Sequence, residues 1–324
     1  MANITDSNVV GQFTTIAVYL LFLGLMSVIA NTFFLLVLWK GNTKFHVVHR
    51  TLLLNIGVSD LMLSTVAYPL NASSAFAKRW LFSDAVCKFS GFWVFLLAQN
   101  DMNSMAVIAV CRYIIICKPQ YEYYLKKQST KYYLLAVTWS HALIFTTAPL
   151  VGWSNYQTET FGISCSINWI DDSPNVLAYN TTLIVSCYLL HICIFIFCYW
   201  RIIKKSNAFI EVNHQSSNNS DDVLTTEARL SAVRVTMTSL AMVAVFLLAW
   251  SPYAISSVYI MIMKTGPVWI HILPTMFAKT CTLLNPIVCG CLSSTFRDAA
   301  RQMTFKRNKI GHAPAVNISV ESLE

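Results

Sequence analysis

Apolar residues in this chain neither alternate nor form one-sided stripes; they come in blocks. Seven blocks, at residues 13–39, 52–76, 86–111, 132–151, 177–200, 232–263 and 268–292, are apolar on every side. A hydrocarbon layer about 30 Å thick asks for about 20 residues of helix, so each block predicts one membrane-crossing helix. Residues 206–227, rich in Asn, Ser, Asp and Thr, predict a flexible loop between the fifth and sixth. After the last block, Phe296, Ala299, Ala300, Met303 and Thr304 recur at helical spacing, with Arg297, Arg301, Lys306 and Arg307 on other sides. That pattern predicts an amphipathic helix lying on the membrane surface. The reading is an all-α membrane protein: an N-terminal segment over 1–12, a seven-helix transmembrane bundle over 13–292, a surface helix over 293–305 and a tail over 306–324. The first twelve residues lack a basic stretch and a small-residue cleavage site, so the first block is expected to be retained as a span.

Composition narrows the class. The chain has 324 residues, 56% hydrophobic and 12% charged, with a mean hydropathy of +0.54. A typical soluble protein carries about 25% charged residues, and half that fraction does not coat a water-facing surface. A net charge of +8 would suit a nucleic-acid binder if the charges shared a face, but they lie in the loops between blocks, so no nucleic-acid partner is expected. Loop charge instead sets orientation, because Lys and Arg are retained on the cytoplasmic side. With the N-terminus outside, only Lys78, Arg79, Lys88 and Lys264 face outward, Lys279 lies in mid-span, and the remaining Lys and Arg fall inside. A multi-pass plasma-membrane protein with an extracellular N-terminus follows. The sequon at Asn3 is the expected glycan site; those at Asn71 and Asn180 lie close to membrane entry, and those at Asn218 and Asn317 would be cytoplasmic. Ten cysteines are too few for a disulfide scaffold of this length, and most are expected to be small core residues.

Lys279 carries the strongest chemical signal. An ionisable residue at bilayer depth is costly and usually functional; the competing reading is a lysine paired with a buried acid for packing alone. A neutral amine in an apolar pocket is a nucleophile toward an aldehyde, and a Schiff base is the natural product. Asp60 and Asp101 are two further carboxyls at membrane depth. With Asn31 and Asn285 they predict one polar cluster, whose acids share a proton or hold a cation such as sodium. No His or Cys spacing suggests a zinc site, and nucleotide-binding glycine loops and catalytic serine motifs are missing, so an enzyme is not expected. His191 reads as a hydrogen-bonded interhelical residue.

Asn31 in the first span, Asp60 in the second, Cys87 at the start of the third, Arg112-Tyr113 at its end, Trp139 in the fourth, Trp250-Ser-Pro252 in the sixth and Asn285-Pro286 in the seventh resemble the rhodopsin-like G-protein-coupled receptors. Phe-Ala-Lys279, six residues before Asn285, resembles the retinal-attachment site of the animal opsins. Cys-Ser-Ile-Asn-Trp169 and Ala-Trp-Ser-Pro-Tyr253 are most similar to the peropsin, neuropsin and retinochrome branch. The resemblance implies retinal, 11-cis or all-trans, held on Lys279 and walled by Trp250, Tyr253, Tyr188, Trp169, Phe246 and Ser90. It implies a disulfide between Cys87 and Cys165. It also implies a counterion at Glu159, six residues before Cys165, because Ser90 stands where vertebrate visual opsins place a glutamate. Arg112, Tyr113, Tyr199, Asn285 and Pro286 would serve activation, with a heterotrimeric G protein and arrestin as partners.

Three positions depart from the family. Cys111 replaces the acid that usually locks Arg112, Cys289 replaces a tyrosine four residues after Asn285, and His191 stands at the usual fifth-helix proline. The family seldom carries an acid at Asp101. Cys289 and Cys291 are candidate palmitoylation positions. The leading reading is a light-sensing receptor that signals through a G protein when its retinal isomerises; the alternatives are a retinal photoisomerase with little or no G-protein coupling and a light-independent chemoreceptor.

Overall fold

The computed structural model describes residues 7–41, 45–213 and 220–310. Its elements are α1 (Ser7–Lys40), α2 (Val47–Phe76), α3 (Asp84–Cys117), the short α4 (Glu122–Lys126), α5 (Gln128–Thr147), a hairpin of β1 (Tyr156–Thr158) and β2 (Cys165–Ile167), α6 (Pro174–Leu183), α7 (Leu190–Asn213), α8 (Ser220–Met263), α9 (Val268–Lys279), α10 (Cys281–Leu292) and α11 (Ser294–Ile310). Seven described helical stretches, Gly11–Lys40, Val47–Phe76, Asp84–Cys117, Gln128–Leu150, Pro174–Ala208, Ala232–Met263 and Trp269–Leu292, are long and apolar enough to cross a membrane. Each predicted block is found; most are extended at one or both ends, because helical hydrogen bonding continues where the side chains turn polar, while the fourth ends at Leu150 and the seventh begins at Trp269, each a residue inside its prediction. The largest departure is at 206–227. That stretch is not a loop throughout: α7 runs on to Asn213 and α8 begins at Ser220. The fifth span also departs from a regular helix, for α6 joins α7 through a π turn at Ile184–Leu189, just before His191.

The bundle is apolar outside and polar inside. On α1, Phe22 and Leu25 are 63% and 61% exposed, which suits lipid and not water. Ser27, Asn31, Asp60, Ser64, Asn100 and Ser104 are buried between helices. They act as interhelical glue: Ser64 Oγ lies 2.7 Å from Ser27 Oγ, and Asn100 Nδ2 donates to Ser59 Oγ at 3.0 Å. The third span is central, with 72% of its most apolar window buried against 28% for the fourth and fifth. Ser83 caps α3 by accepting from the Val86 N–H. Pro286, inside α10, has no N–H for the Thr282 carbonyl one turn back; Asn31 Nδ2 supplies that hydrogen bond at 2.8 Å.

The surface helix is present and longer than predicted. Phe296 and Ala299 are buried, and Phe296 packs on Phe34 with ring centroids 5.4 Å apart. Arg297 Nη1 donates to the Cys291 carbonyl at 2.6 Å, capping the end of α10. Asn71 and Asn180 are buried, so neither sequon is open to glycosylation in the fold. Asn3 lies outside the described residues.

Candidate functional site

Lys279 closes α9, and Thr280 breaks the helix before α10. In an unbroken helix the Lys279 carbonyl would accept from the Leu283 N–H, but that donor turns to Thr280 O at 3.0 Å. Tyr68, fully buried on the second span, takes its place: Tyr68 Oη donates to Lys279 O at 2.6 Å and lies 2.8 Å from Thr282 Oγ1. The backbone at the lysine is thus pinned from a neighbouring helix. Lys279 lines a cavity of about 420 Å³, within the range of natural small-molecule sites.

The cavity wall is mainly apolar and aromatic. Trp250, Tyr253, Tyr188, Trp169 and Phe246 all line it. Phe246 stacks on Trp250 at 6.0 Å, Trp250 meets Tyr253 edge-on at 5.9 Å, and Tyr188 Oη lies 2.6 Å from Ser251 Oγ. Ser90 does not line it. One residue along a helix is a rotation of about 100°, and Gly91 holds the wall position while Ser90 is buried elsewhere. A side chain at Gly91 has no room, since a Cβ there would stand 2.8 Å from the Tyr156 ring.

The β1–β2 hairpin roofs the cavity. Cys87 and Cys165 form a disulfide, which ties β2 to the start of α3. Tyr156 Oη donates to the Thr146 carbonyl at 2.7 Å, and Trp169 Nε1 donates to Tyr253 Oη at 3.2 Å. Glu159 stands in the turn beyond β1. Its N–H donates to Ser164 O at 2.9 Å, its carbonyl accepts from the Gly162 N–H at 2.8 Å, and Ser164 Oγ donates to its carboxylate. Glu159 and Lys279 share the cavity wall, and Glu159 is the charged neighbour of the lysine amine. Among the described residues no ion pair within 4.0 Å engages Lys279.

Asp60 and Asp101 lie on the wall of the same cavity. Their carboxyl groups are close enough to influence one another, and two acids so placed titrate as a pair. Asn285 Nδ2 donates to Asp60 Oδ2 at 2.8 Å. Asn31 belongs to the same region through its bond to Thr282, the residue whose hydroxyl meets Tyr68. Asp101 Oδ1, Asn285 Oδ1, Asn31 Oδ1 and Asn100 Oδ1 are buried without a hydrogen-bond partner among the described residues. That is a run of acceptors lacking donors.

Sequence reasoning missed several wall residues: Asn71, Gln99, Ser164, Thr275, Cys281 and Thr282. Cys281 and Thr282 were within reach, being two and three residues past Lys279. Asn71 was obscured by its sequon. Ala67, Ala98, Ala254 and Ala278 make the room, and small residues in an apolar run give no distinctive signal.

At the far end of the third span Arg112 is buried, and neither its Nη2 nor the Tyr199 hydroxyl has a hydrogen-bond partner among the described residues. Tyr113 packs on Phe197 at 5.4 Å. Cys111 and Cys289 are buried thiols, whereas Cys291 is exposed; burial removes Cys289 as an acylation candidate. His191 Nε2 lies 2.9 Å from Asn103 Oδ1 across to the third span.

The family model described as 7 transmembrane receptor (rhodopsin family) matches residues 30–288. The chain is 32% identical to "Rhodopsin, G0-coupled" of Mizuhopecten yessoensis over 91% of its own length and 74% of that protein. It is 31% identical to "Opsin-5" of Mus musculus, over 86% and 73%, and 26% identical to "Visual pigment-like receptor peropsin" of Homo sapiens, over 89% and 83%. In fold it is similar to the crystal structure of squid rhodopsin, with a TM-score of 0.80 at 21% identity, covering 97% of this chain and 93% of that one.

Proposed function

This chain belongs to the rhodopsin family of seven-transmembrane receptors and, within it, to the opsins, and from that premise we propose a receptor that carries retinal on Lys279 and signals through a heterotrimeric G protein. The observation that carries the reading is one cavity that presents Lys279 and Glu159 together among Trp250, Tyr253, Phe246 and Tyr188. The fit is chemical as well as spatial: an apolar slot with an amine on one wall and a lone carboxylate in its roof suits an apolar aldehyde. Retinal, when bound, supplies the light-driven isomerisation. Lys279 Nζ is the point of attachment, Glu159 balances the positive charge on that nitrogen, Ser164 orients the carboxylate, and Trp250 is the bulk against which the ligand changes shape. Pro252, two residues beyond Trp250 toward the outer end of α8, is the hinge through which that push moves the sixth span. The basic loops favour the Arg112 end in the cytoplasm and the hairpin outside, and a receptor of this kind would act in the plasma membrane. The G0-coupled relative makes that G-protein class the first to assay.

The test is an absorption spectrum of the full chain reconstituted separately with 11-cis and all-trans retinal, beside Lys279→Ala and Glu159→Gln. A visible band is expected, absent in Lys279→Ala and moved to the near ultraviolet in Glu159→Gln at neutral pH. A visible band in Lys279→Ala equal to that of the unaltered chain would overturn the attachment.

A retinal photoisomerase is the second reading. Arg112, without an acid partner among the described residues, and the buried Cys289 favour it, because both sit where a receptor's moving parts would be. Light-dependent turnover of excess all-trans retinal without nucleotide exchange on a G protein would select it.

A further inference from the structure

The geometry points to a binding surface for anionic phospholipid headgroups on the connection between the third and fourth spans, a function separate from the retinal cavity. Leu125 is buried in the main core and fixes α4 against the bundle. Around that anchor Tyr123, Tyr124, Tyr132 and Tyr133 are 57–69% exposed. In water four such rings would be a liability; at the level of lipid headgroups an aromatic body with a hydroxyl tip is favoured. Tyr133 continues at helical spacing into Val137 and Ile144, which are exposed along the fourth span, so the tyrosines stand at the end of a lipid-facing stripe. The Lys127 ammonium lies over the Tyr123 and Tyr124 rings at 5.0 and 5.2 Å, and Lys131 lies over Tyr132 at 4.9 Å. A ring face restrains an ammonium without neutralising it, leaving both charges free to pair outward. Lys126 adds a third, shared with Glu122 at 3.1 Å. Phenol hydroxyls and ammonium groups together form a donor set matched to the oxygens of a lipid phosphate. Lipid is chosen over an acidic protein because the charges are interleaved with rings that a bilayer would cover.

The full chain is reconstituted in phosphatidylcholine bilayers containing a trace of spin-labelled phosphatidylserine or spin-labelled phosphatidylcholine, and the motionally restricted fraction of each label is measured. The unaltered chain should restrain phosphatidylserine about threefold more than phosphatidylcholine at low salt, and the ratio should fall as salt is raised. Lys126→Gln, Lys127→Gln and Lys131→Gln together should at least halve that ratio, with thermal unfolding unchanged because these side chains lie outside the core. Tyr123→Ala with Tyr124→Ala should lower it at constant charge. A control with the same charge loss elsewhere, Lys40→Gln, Arg201→Gln and Lys204→Gln, should keep most of it. Equal restriction of the two labels by the unaltered chain, survival of the preference in the triple variant, or equal loss in the control would each overturn the inference. The readout needs no retinal, so its failure leaves the photopigment reading standing.

Discussion

Two side chains near Lys279 do work that their residue types do not announce. Tyr68 is a buried phenol that replaces a helical hydrogen bond, and Tyr68→Phe leaves the Lys279 carbonyl with only the longer bond from the Thr282 hydroxyl, at 3.2 Å. The expected cost is about 0.5–1.5 kcal/mol, the net worth of one hydrogen bond, read as a lower thermal midpoint and faster loss of the visible band in the dark. An unchanged midpoint and dark lifetime would mean that water serves the carbonyl equally well. Asp101 lies on the cavity wall with Asp60, and its Oδ1 is one of several buried acceptors without a partner among the described residues. We expect Asp101→Asn to abolish any pH and sodium dependence of the photoproduct; if both dependences persist unaltered, the acid is a neutral hydrogen-bonded core residue. Gly91→Ala forces a methyl against the Tyr156 ring, and overpacking of this kind costs about 1–3 kcal/mol, measurable as reduced thermal stability with the roof of the cavity loosened.

Among the elements, the third span shows both what its sequence foretells and what it hides. Cys87 at its outer end stands out because a membrane helix tolerates such a residue there only for a reason, and it forms the bond to Cys165 that ties the hairpin down. The choice between Ser90 and Gly91 as wall depends on helix rotation, which an apolar block with no polar side does not declare. The same holds for α6 and α7, where a π turn stands beside His191 and no residue in 184–189 marks it in advance. At the inner end Arg112 lacks its customary partner. Cys111→Asp would place a carboxylate next to that guanidinium, and a charged hydrogen bond of this type contributes about 1.5–3 kcal/mol. The expected result is a higher thermal midpoint and slower nucleotide exchange on the G protein in the dark; faster dark exchange would show that the unpaired arginine is not what sets the basal rate.

For the molecule as a whole, span number and boundaries were legible because lipid is an exacting solvent: seven apolar blocks have one economical arrangement. The polar loop predicted at 206–227 failed for the opposite reason, since water tolerates helix and coil alike and composition does not decide between them. The polar interior was half legible. Asn31, Asp60, Asp101 and Asn285 stood out as costly, while the alanines that hollow the cavity did not. The Cys87–Cys165 bond links residues separated by 78 positions, and Glu159 belongs to the loop that this bond fastens. Cys87→Ser with Cys165→Ser should therefore lose about 2–5 kcal/mol and, with it, the visible band, even if all seven helices insert. If the chain carries retinal as proposed, colour is a late event in its biosynthesis. Helices can thread into the membrane of any cell, but on the proposed reading Lys279 would meet Glu159 only after an oxidising lumen has closed the bridge. A host with a reducing exit path would thus deliver an intact, correctly inserted and colourless protein.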